Sequence, residues 1–401
     1  MITEERKEWL FHRYRLPWET MNTIIGGTSP IDMDRLFITT EESAERFLTN
    51  YGYKFSSPAE RFELKKLYLR ALAFIKEMFL VSERELKIPA QFEDLEDLRS
   101  LLLWVSDEKR SDERTWACAI SRVMHTMAHT ENSLNEEYFP QIRKQIIDRF
   151  QKHIFVDTNG KLYLGEGVER IPLIRWEVKE EKPFDSIVLK LLHKAENVAE
   201  DIFDRVGFRV VTETKMDTLL SIKYFRSHHI IMFANIKPTR SRNTLLDLDI
   251  VKRETDELFD ELRAGKMDEE TFVDKFQKIE GDLSMDELGR RRANPFSSEA
   301  YKSIQFTCRQ LIRISNPLIP HLKQMEEIVS GLPPSGEKKS LEASITNLPV
   351  QETIKFFFPF EIQLMDEESY IENMKGRASY EEYKANQLLA AKKRVLGVLM
   401  H

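Results

Sequence analysis

Asp204 and Glu361 are acids set against strand-like apolar runs. Asp204 opens Asp204-Arg205-Val206-Gly207-Phe208-Arg209-Val210-Val211, and Glu361 sits inside Phe356-Phe357-Phe358-Pro359-Phe360-Glu361-Ile362-Gln363-Leu364. A carboxylate among Val, Ile and Phe is costly to bury unless a cation or hydrogen-bond donors compensate it. Two such acids meeting at one sheet edge could hold a divalent metal over a phosphorylated substrate, because hard cations take carboxylate oxygens and share them with phosphates. Cations surround the first acid: Lys182 precedes a helix opening near Ser186, Lys190 lies one turn inside it, and Arg209 follows Asp204 by five residues. They could clamp phosphoryl oxygens. From spacing alone, solvated lysines and an arginine paired to a neighbouring acid fit equally well. An odd separation along a strand puts Asp204 and Arg209 on opposite faces unless a bulge intervenes, which Gly207 could supply.

A second basic segment, Lys237-Pro238-Thr239-Arg240-Ser241-Arg242-Asn243, has three cations, no acid and a turn-forming Pro. It reads as an anion-binding loop or as an exposed solvated one. Arg290-Arg291-Arg292 follows a strongly acidic stretch that can pair with it. Tyr301 stands where a polar loop enters a strand, and could stack on a flat base or simply pack at a domain rim. His125 and His129 have the i, i+4 spacing of two metal ligands, but Met124, Met127 and Ala128 surround them and favour core histidines. The chain has no Walker or Rossmann phosphate loop and no Gly-x-Ser-x-Gly elbow, which disfavours P-loop enzymes and α/β-hydrolases.

The elements that must position these residues change character along the chain. Helical periodicity predicts helices at residues 58–81, 92–104, 113–130 and 138–153, with Ser57-Pro58 a clear helix start. Residues 1–150 are therefore expected to form an all-helical domain. Asn159-Gly160 between two short apolar runs then predicts a hairpin and the start of a strand-containing domain, residues 151–401. Within it, 186–203 and 217–224 read as helices, and 208–212 and 230–233 as strands. Residues from about 246 to 290 read as an acidic helical insertion. Strand character returns at 303–314 and 354–364, separated by a Gly/Pro-rich loop, and residues 379–399 read as a closing helix. The fold class expected is α+β.

With 401 residues, 41% of them hydrophobic, the chain can build a full core in two or three domains. A formal net charge of -7 predicts no wholesale nucleic-acid or membrane binding, so an anion site must be a local patch. Cys118 and Cys308 read as reduced core thiols, and with no signal-peptide-like or membrane-spanning apolar run the expected compartment is cytoplasmic.

Four segments occur in an order that resembles the synthetase domain of the RelA/SpoT alarmone enzymes. They are Lys182-Pro183-Phe184-Asp185-Ser186-Ile187-Val188-Leu189-Lys190, the run from Asp204 to Val211, Tyr301-Lys302-Ser303-Ile304-Gln305, and Phe360-Glu361-Ile362-Gln363-Leu364. The likeness spans roughly residues 150–401, and the layout is similar to that of a group of bacterial proteins with a helical N-terminal half. It implies a nucleotidyltransferase-type mixed sheet flanked by helices. It also implies Mg2+ held by Asp204 and Glu361, with Glu361 assisting deprotonation of the attacking hydroxyl. Lys182, Ser186, Lys190 and Arg209 would hold the ATP phosphates, Tyr301 would stack on the acceptor base, and Lys237, Arg240 and Arg242 would contact the acceptor. The reaction implied is transfer of the β,γ-pyrophosphoryl group of ATP to the 3′-hydroxyl of a guanine nucleotide. The alternatives are transfer to an RNA or tRNA 3′ end, or an inactive nucleotide-sensing protein whose helical half binds a partner or itself. The chain departs from the family pattern at Glu180, Ala300 and Gln305, where the family has Arg, Gly and His.

Overall fold

The computed structural model describes residues 2–14, 21, 25, 29–33, 35–81, 86–107, 111–130, 133–180, 183–193, 205–283, 301–375 and 380–400. Its longer helices and strands follow in this order: α1 (Glu4–Tyr14), α2 (Glu41–Tyr51), α3 (Pro58–Phe74), α4 (Arg99–Ser106), α5 (Ser111–Thr130) and α6 (Ser133–Gln151); then β1 (Ile154–Val156), β2 (Leu162–Leu164), β3 (Ile171–Val178), α7 (Phe184–Leu192), β4 (Gly207–Thr212) and α8 (Lys215–Ser227); then β5 (Arg242–Asn243), α9 (Leu248–Arg263), α10 (Glu269–Gln277) and β6 (Ile304–Ser315); and finally α11 (Leu318–Ser330), α12 (Gly336–Thr346), β7 (Thr353–Asp366), α13 (Glu367–Lys375) and α14 (Tyr380–Leu396). The protein is an α+β chain in which helices precede a mixed sheet.

The chain forms two compact units that interleave in sequence. One comprises residues Met1–Asn132, Lys182–Ile202 and Ser379–His401, and the other Ser133–Glu181 and Phe203–Ala378. Thus α6, expected within the helical half, belongs with the sheet, while α7 and α14 belong with the N-terminal helices.

In the helical unit, Thr40 caps α2 by accepting from Ser43 N, Ser57 caps α3 ahead of Pro58, and Gly52 ends α2 at φ 119°. Leu48, Leu64, Tyr68, Phe79, Phe92, Ile120 and Val123 bury one continuous core, completed by Val188 and Leu192 of α7 and Val395 of α14. The His125 ring sits in this unit, its Nδ1 2.7 Å from Tyr51 Oη, with the His129 ring 4.4 Å away. Burial, and then the neighbouring His129, pull the His125 pKa down to about 4, so its imidazole is neutral at pH 7. Among the described residues no three His, Cys, Asp or Glu side chains group as a metal site. His125 is half-buried and His129 exposed, so the pair sits at the rim of this core and not inside it.

The second unit is built on a seven-stranded sheet in the order β1-β2-β3-β4-β7-β6-β5. The Asn-Gly hairpin forms as the sequence predicts: Asp157 Oδ1 accepts from Asn159 N and Lys161 N at 2.8 Å each, and Gly160 adopts φ 81°. All strand pairs are antiparallel except β4 with β7. Phe150 of α6 fills the core over this sheet, its ring 4.4 Å from Phe208 and within 5.7 Å of Trp176, Phe225 and Phe360.

Two expectations are corrected. Residues 230–233 form no strand: His229 turns at φ 53°, and Phe233–Asn235 is a single 3-10 turn. The segment between β6 and β7 is a pair of helices, α11 and α12, joined by the Gly/Pro-rich turn. β3, unanticipated from the residue pattern, is a full strand with a bulge between Leu173 and Arg175. Among the described residues, no helix is long and apolar enough to cross a membrane. Cys118 and Cys308 are free and buried, one in each unit.

Candidate functional site

Register places the site. Glu177, Arg209, Gln363, Gln305 and Arg242 are direct partners across β3, β4, β7, β6 and β5, so five strands contribute one polar row on a single face. Glu361, two residues before Gln363 on β7, shares that face and lies opposite Gly207 on β4 and Thr307 on β6. The intervening residues, Phe208, Ile362, Val210 and Leu364, point to the core.

Glu361 is 7% exposed, and both carboxylate oxygens are engaged. Lys179 Nζ lies 2.6 Å from Oε1, and the Gln305 amide donates to Oε2. Gln305 in turn accepts from Gln363 Nε2 at 3.4 Å, and Tyr301 Oη donates to Gln363 Oε1 at 3.5 Å. At the other end of the row, Arg209 Nη1 donates to Glu177 Oε2 at 3.0 Å, and Tyr370 Oη donates to Glu177 Oε1 at 3.4 Å. The buried Nε of Arg209 makes no hydrogen bond. Burial raises the Tyr301 pKa; the Arg209 charge works against that shift and the Glu361 charge adds to it. Tyr301 is therefore a protonated phenol lodged between an arginine and a carboxylate, and these three predicted residues do come together.

The role of Gly207 differs from the one expected. It opens β4, and a Cβ there would stand 2.7 Å from Lys179 Cδ, so its missing side chain is the space through which the Lys179 stem crosses to Glu361. Lys179 escaped the sequence reading because it follows a strand that was not recognised. The alternation Arg175, Glu177, Lys179 on the polar face against Ile174, Trp176, Val178 was the available signal. Gln305, first noted only as a departure from the family pattern, is the second partner of Glu361.

The basic loop runs along the outer edge of β6: Lys237 N donates to Thr307 O at 2.9 Å, Pro238–Arg240 forms a 3-10 turn, and Arg242 pairs with Gln305. Lys237, Arg240 and Arg242 thus flank the row beside Glu361. Ser186 and Lys190 lie on α7, in the helical unit. Asp204, Lys182, Ala300 and Arg290 to Arg292 lie outside the described residues.

A buried acid, its lysine, a half-buried arginine and a half-buried phenol on one sheet face can bind an anionic group and accept a proton. Comparison with protein-family models, with curated proteins and with solved structures found no match to this chain.

Proposed function

We propose that the sheet unit is a nucleotidyltransferase-type domain that transfers the β,γ-pyrophosphoryl group of ATP to the 3′-hydroxyl of a guanine nucleotide. The observation that carries this reading is Glu361: a carboxylate at 7% exposure, on the polar face, with Lys179 and Gln305 on its two oxygens. The resemblance in the four segments supplies the reaction class.

The donor chemistry fits magnesium, which is ordinarily held by one or two carboxylates together with substrate phosphate oxygens. Glu361 and, by resemblance, Asp204 would hold it, and when bound it would neutralise charge on the transferring phosphates. The remaining work falls to the chain's own side chains. Arg209, within the row, binds phosphoryl oxygens through the η nitrogens that Glu177 leaves available. Tyr301 stays protonated and offers its ring to the acceptor base. Glu361 takes the proton of the acceptor 3′-hydroxyl as its oxygen bonds to the β-phosphorus. The bond from that phosphorus to the α,β-bridging oxygen breaks and AMP leaves. Lys179 balances the charge of Glu361 before the proton arrives.

Incubation with labelled ATP, Mg2+ and GDP or GTP tests the reading. The expected result is a labelled 3′-product that falls at least a hundredfold in Glu361→Gln, with the thermal midpoint within a few degrees of the parent. Absence of product, or product formation indifferent to Glu361→Gln, overturns it.

A further inference from the structure

β6 and β7 pair over twelve positions, Ile304↔Leu364 to Ser315↔Thr353, whereas β4 pairs only with residues 361–366 of β7. Beyond Glu361 the two strands therefore continue as a ribbon. One face of the ribbon is anchored. Cys308, Ile312, Phe358 and Phe360 are buried in the core, Phe358 lies 6.1 Å from Phe139 of α6, and the Gln145 side chain on α6 bonds Arg313 O at 2.8 Å and Arg313 N at 3.2 Å.

The other face continues the polar row of the candidate site. Moving outward from Glu361 and Thr307, its rungs are Pro359 with Arg309, Phe357 with Leu311, Lys355 with Arg313, and Thr353 with Ser315. No acid occurs on these rungs. Arg309, Arg313 and Lys355 are exposed, and none of the three forms an ion pair among the described residues. Between them Phe357 is 54% exposed and Leu311 39%. The net charge of the chain is -7, so three uncompensated cations on one rigid face are a local departure from the whole. Successive rungs on one face stand about 7 Å apart, which puts Arg313 and Lys355 about 20 Å from Glu361.

We propose that this face of the β6/β7 ribbon binds a single-stranded nucleic acid and delivers its end to Glu361. Cations along a groove track phosphates, and an exposed aromatic ring between them gives an unpaired base a surface to stack on. A duplex hides its bases and offers Phe357 nothing. An acidic peptide would use the cations but gain little from an exposed phenyl ring. The basic loop from Lys237 to Arg242, bonded along the β6 edge, flanks the end of the same track beside Glu361. That an end delivered there becomes the acceptor rests on the pyrophosphotransfer reading; the binding itself does not.

The full-length protein and a 5′-fluorescein-labelled 12-nucleotide single-stranded RNA, followed by fluorescence anisotropy, test the proposal. Three phosphate contacts predict about a twentyfold loss of affinity between 50 and 200 mM salt. Arg309→Ala with Arg313→Ala weakens binding at least tenfold and flattens the salt dependence, and Phe357→Ala weakens it about tenfold with the salt dependence kept. Lys252→Ala with Arg253→Ala, a surface pair on α9, leaves binding unchanged. No binding, equal loss in the α9 control, or equally tight binding to duplex or to anionic lipid vesicles with no effect of Phe357→Ala overturns the proposal. The same RNA in the labelled-ATP assay separates the two ideas: RNA bound through the ribbon but never labelled leaves the ribbon standing and counts against the transfer reaction.

Discussion

Along β4, β6 and β7 one face carries Phe208, Val210, Phe306, Cys308, Phe360, Ile362 and Leu364, and the other carries Arg209, Gln305, Thr307, Arg309, Glu361 and Gln363. The two sets come from the same strands, residue by residue, and differ only in parity. The apolar set packs on Phe150 and α6 and holds the sheet together; the polar set is linked by side-chain hydrogen bonds and by two ion pairs, Lys179 with Glu361 and Arg209 with Glu177. The comparison teaches that the site uses the core's own scaffold without drawing on the core's residues. Chemistry on the polar face can change while the stability of the sheet stays with the opposite face.

The largest expected contrast tests that division. Phe208→Ala, at a position with 0% exposure, should cost about 3–5 kcal/mol in chemical denaturation, whereas Gln363→Ala one residue-pair away should cost under about 1 kcal/mol. Equal costs would break the comparison. Gly207→Ala probes packing within the polar face, since its Cβ would collide with the Lys179 stem. It should cost about 1–2 kcal/mol, and combining it with Lys179→Ala should cost less than the sum of the two, as a double-mutant cycle would read. The smallest effect concerns Tyr301. Burial raises its hydroxyl pKa above the ordinary tyrosine value of 10.0, so unfolded chains lose that proton first and stability falls as pH rises beyond 10. Tyr301→Phe should make denaturation midpoints between pH 9 and 11 less steep by a few tenths of a kcal/mol.

Much of this arrangement is legible in the chain. The Asn-Gly hairpin follows from its turn signal, and the two long strands and Glu361 from apolar runs with an acid set into one of them; a strand's period of two then shows which residues share a face. What alternation does not show is which strands become neighbours. Lys179 and Gln305 meet Glu361 only through the β4–β7 and β6–β7 registers, and β3 itself was obscured by Pro172 and its charged residues. The helices α11 and α12 were hidden by their exposed, weakly patterned surface and the Gly/Pro turn between them, where local signals favour a loop. The short run 230–233 failed in the opposite way, since four apolar residues satisfy strand and turn alike and tertiary packing decided.

Lys179 and Glu361 stand 182 residues apart along the chain. Bringing them together requires the single parallel pairing, β4 with β7, which closes the longest loop in the sheet and which chains dominated by local helices reach late. Nearby hairpins such as β1–β2 form without it. The candidate site therefore exists only where that pairing has formed, and a ligand that needs both residues binds only such sheets. By mass action it would slow unfolding of the complete protein while leaving the earlier steps of refolding untouched.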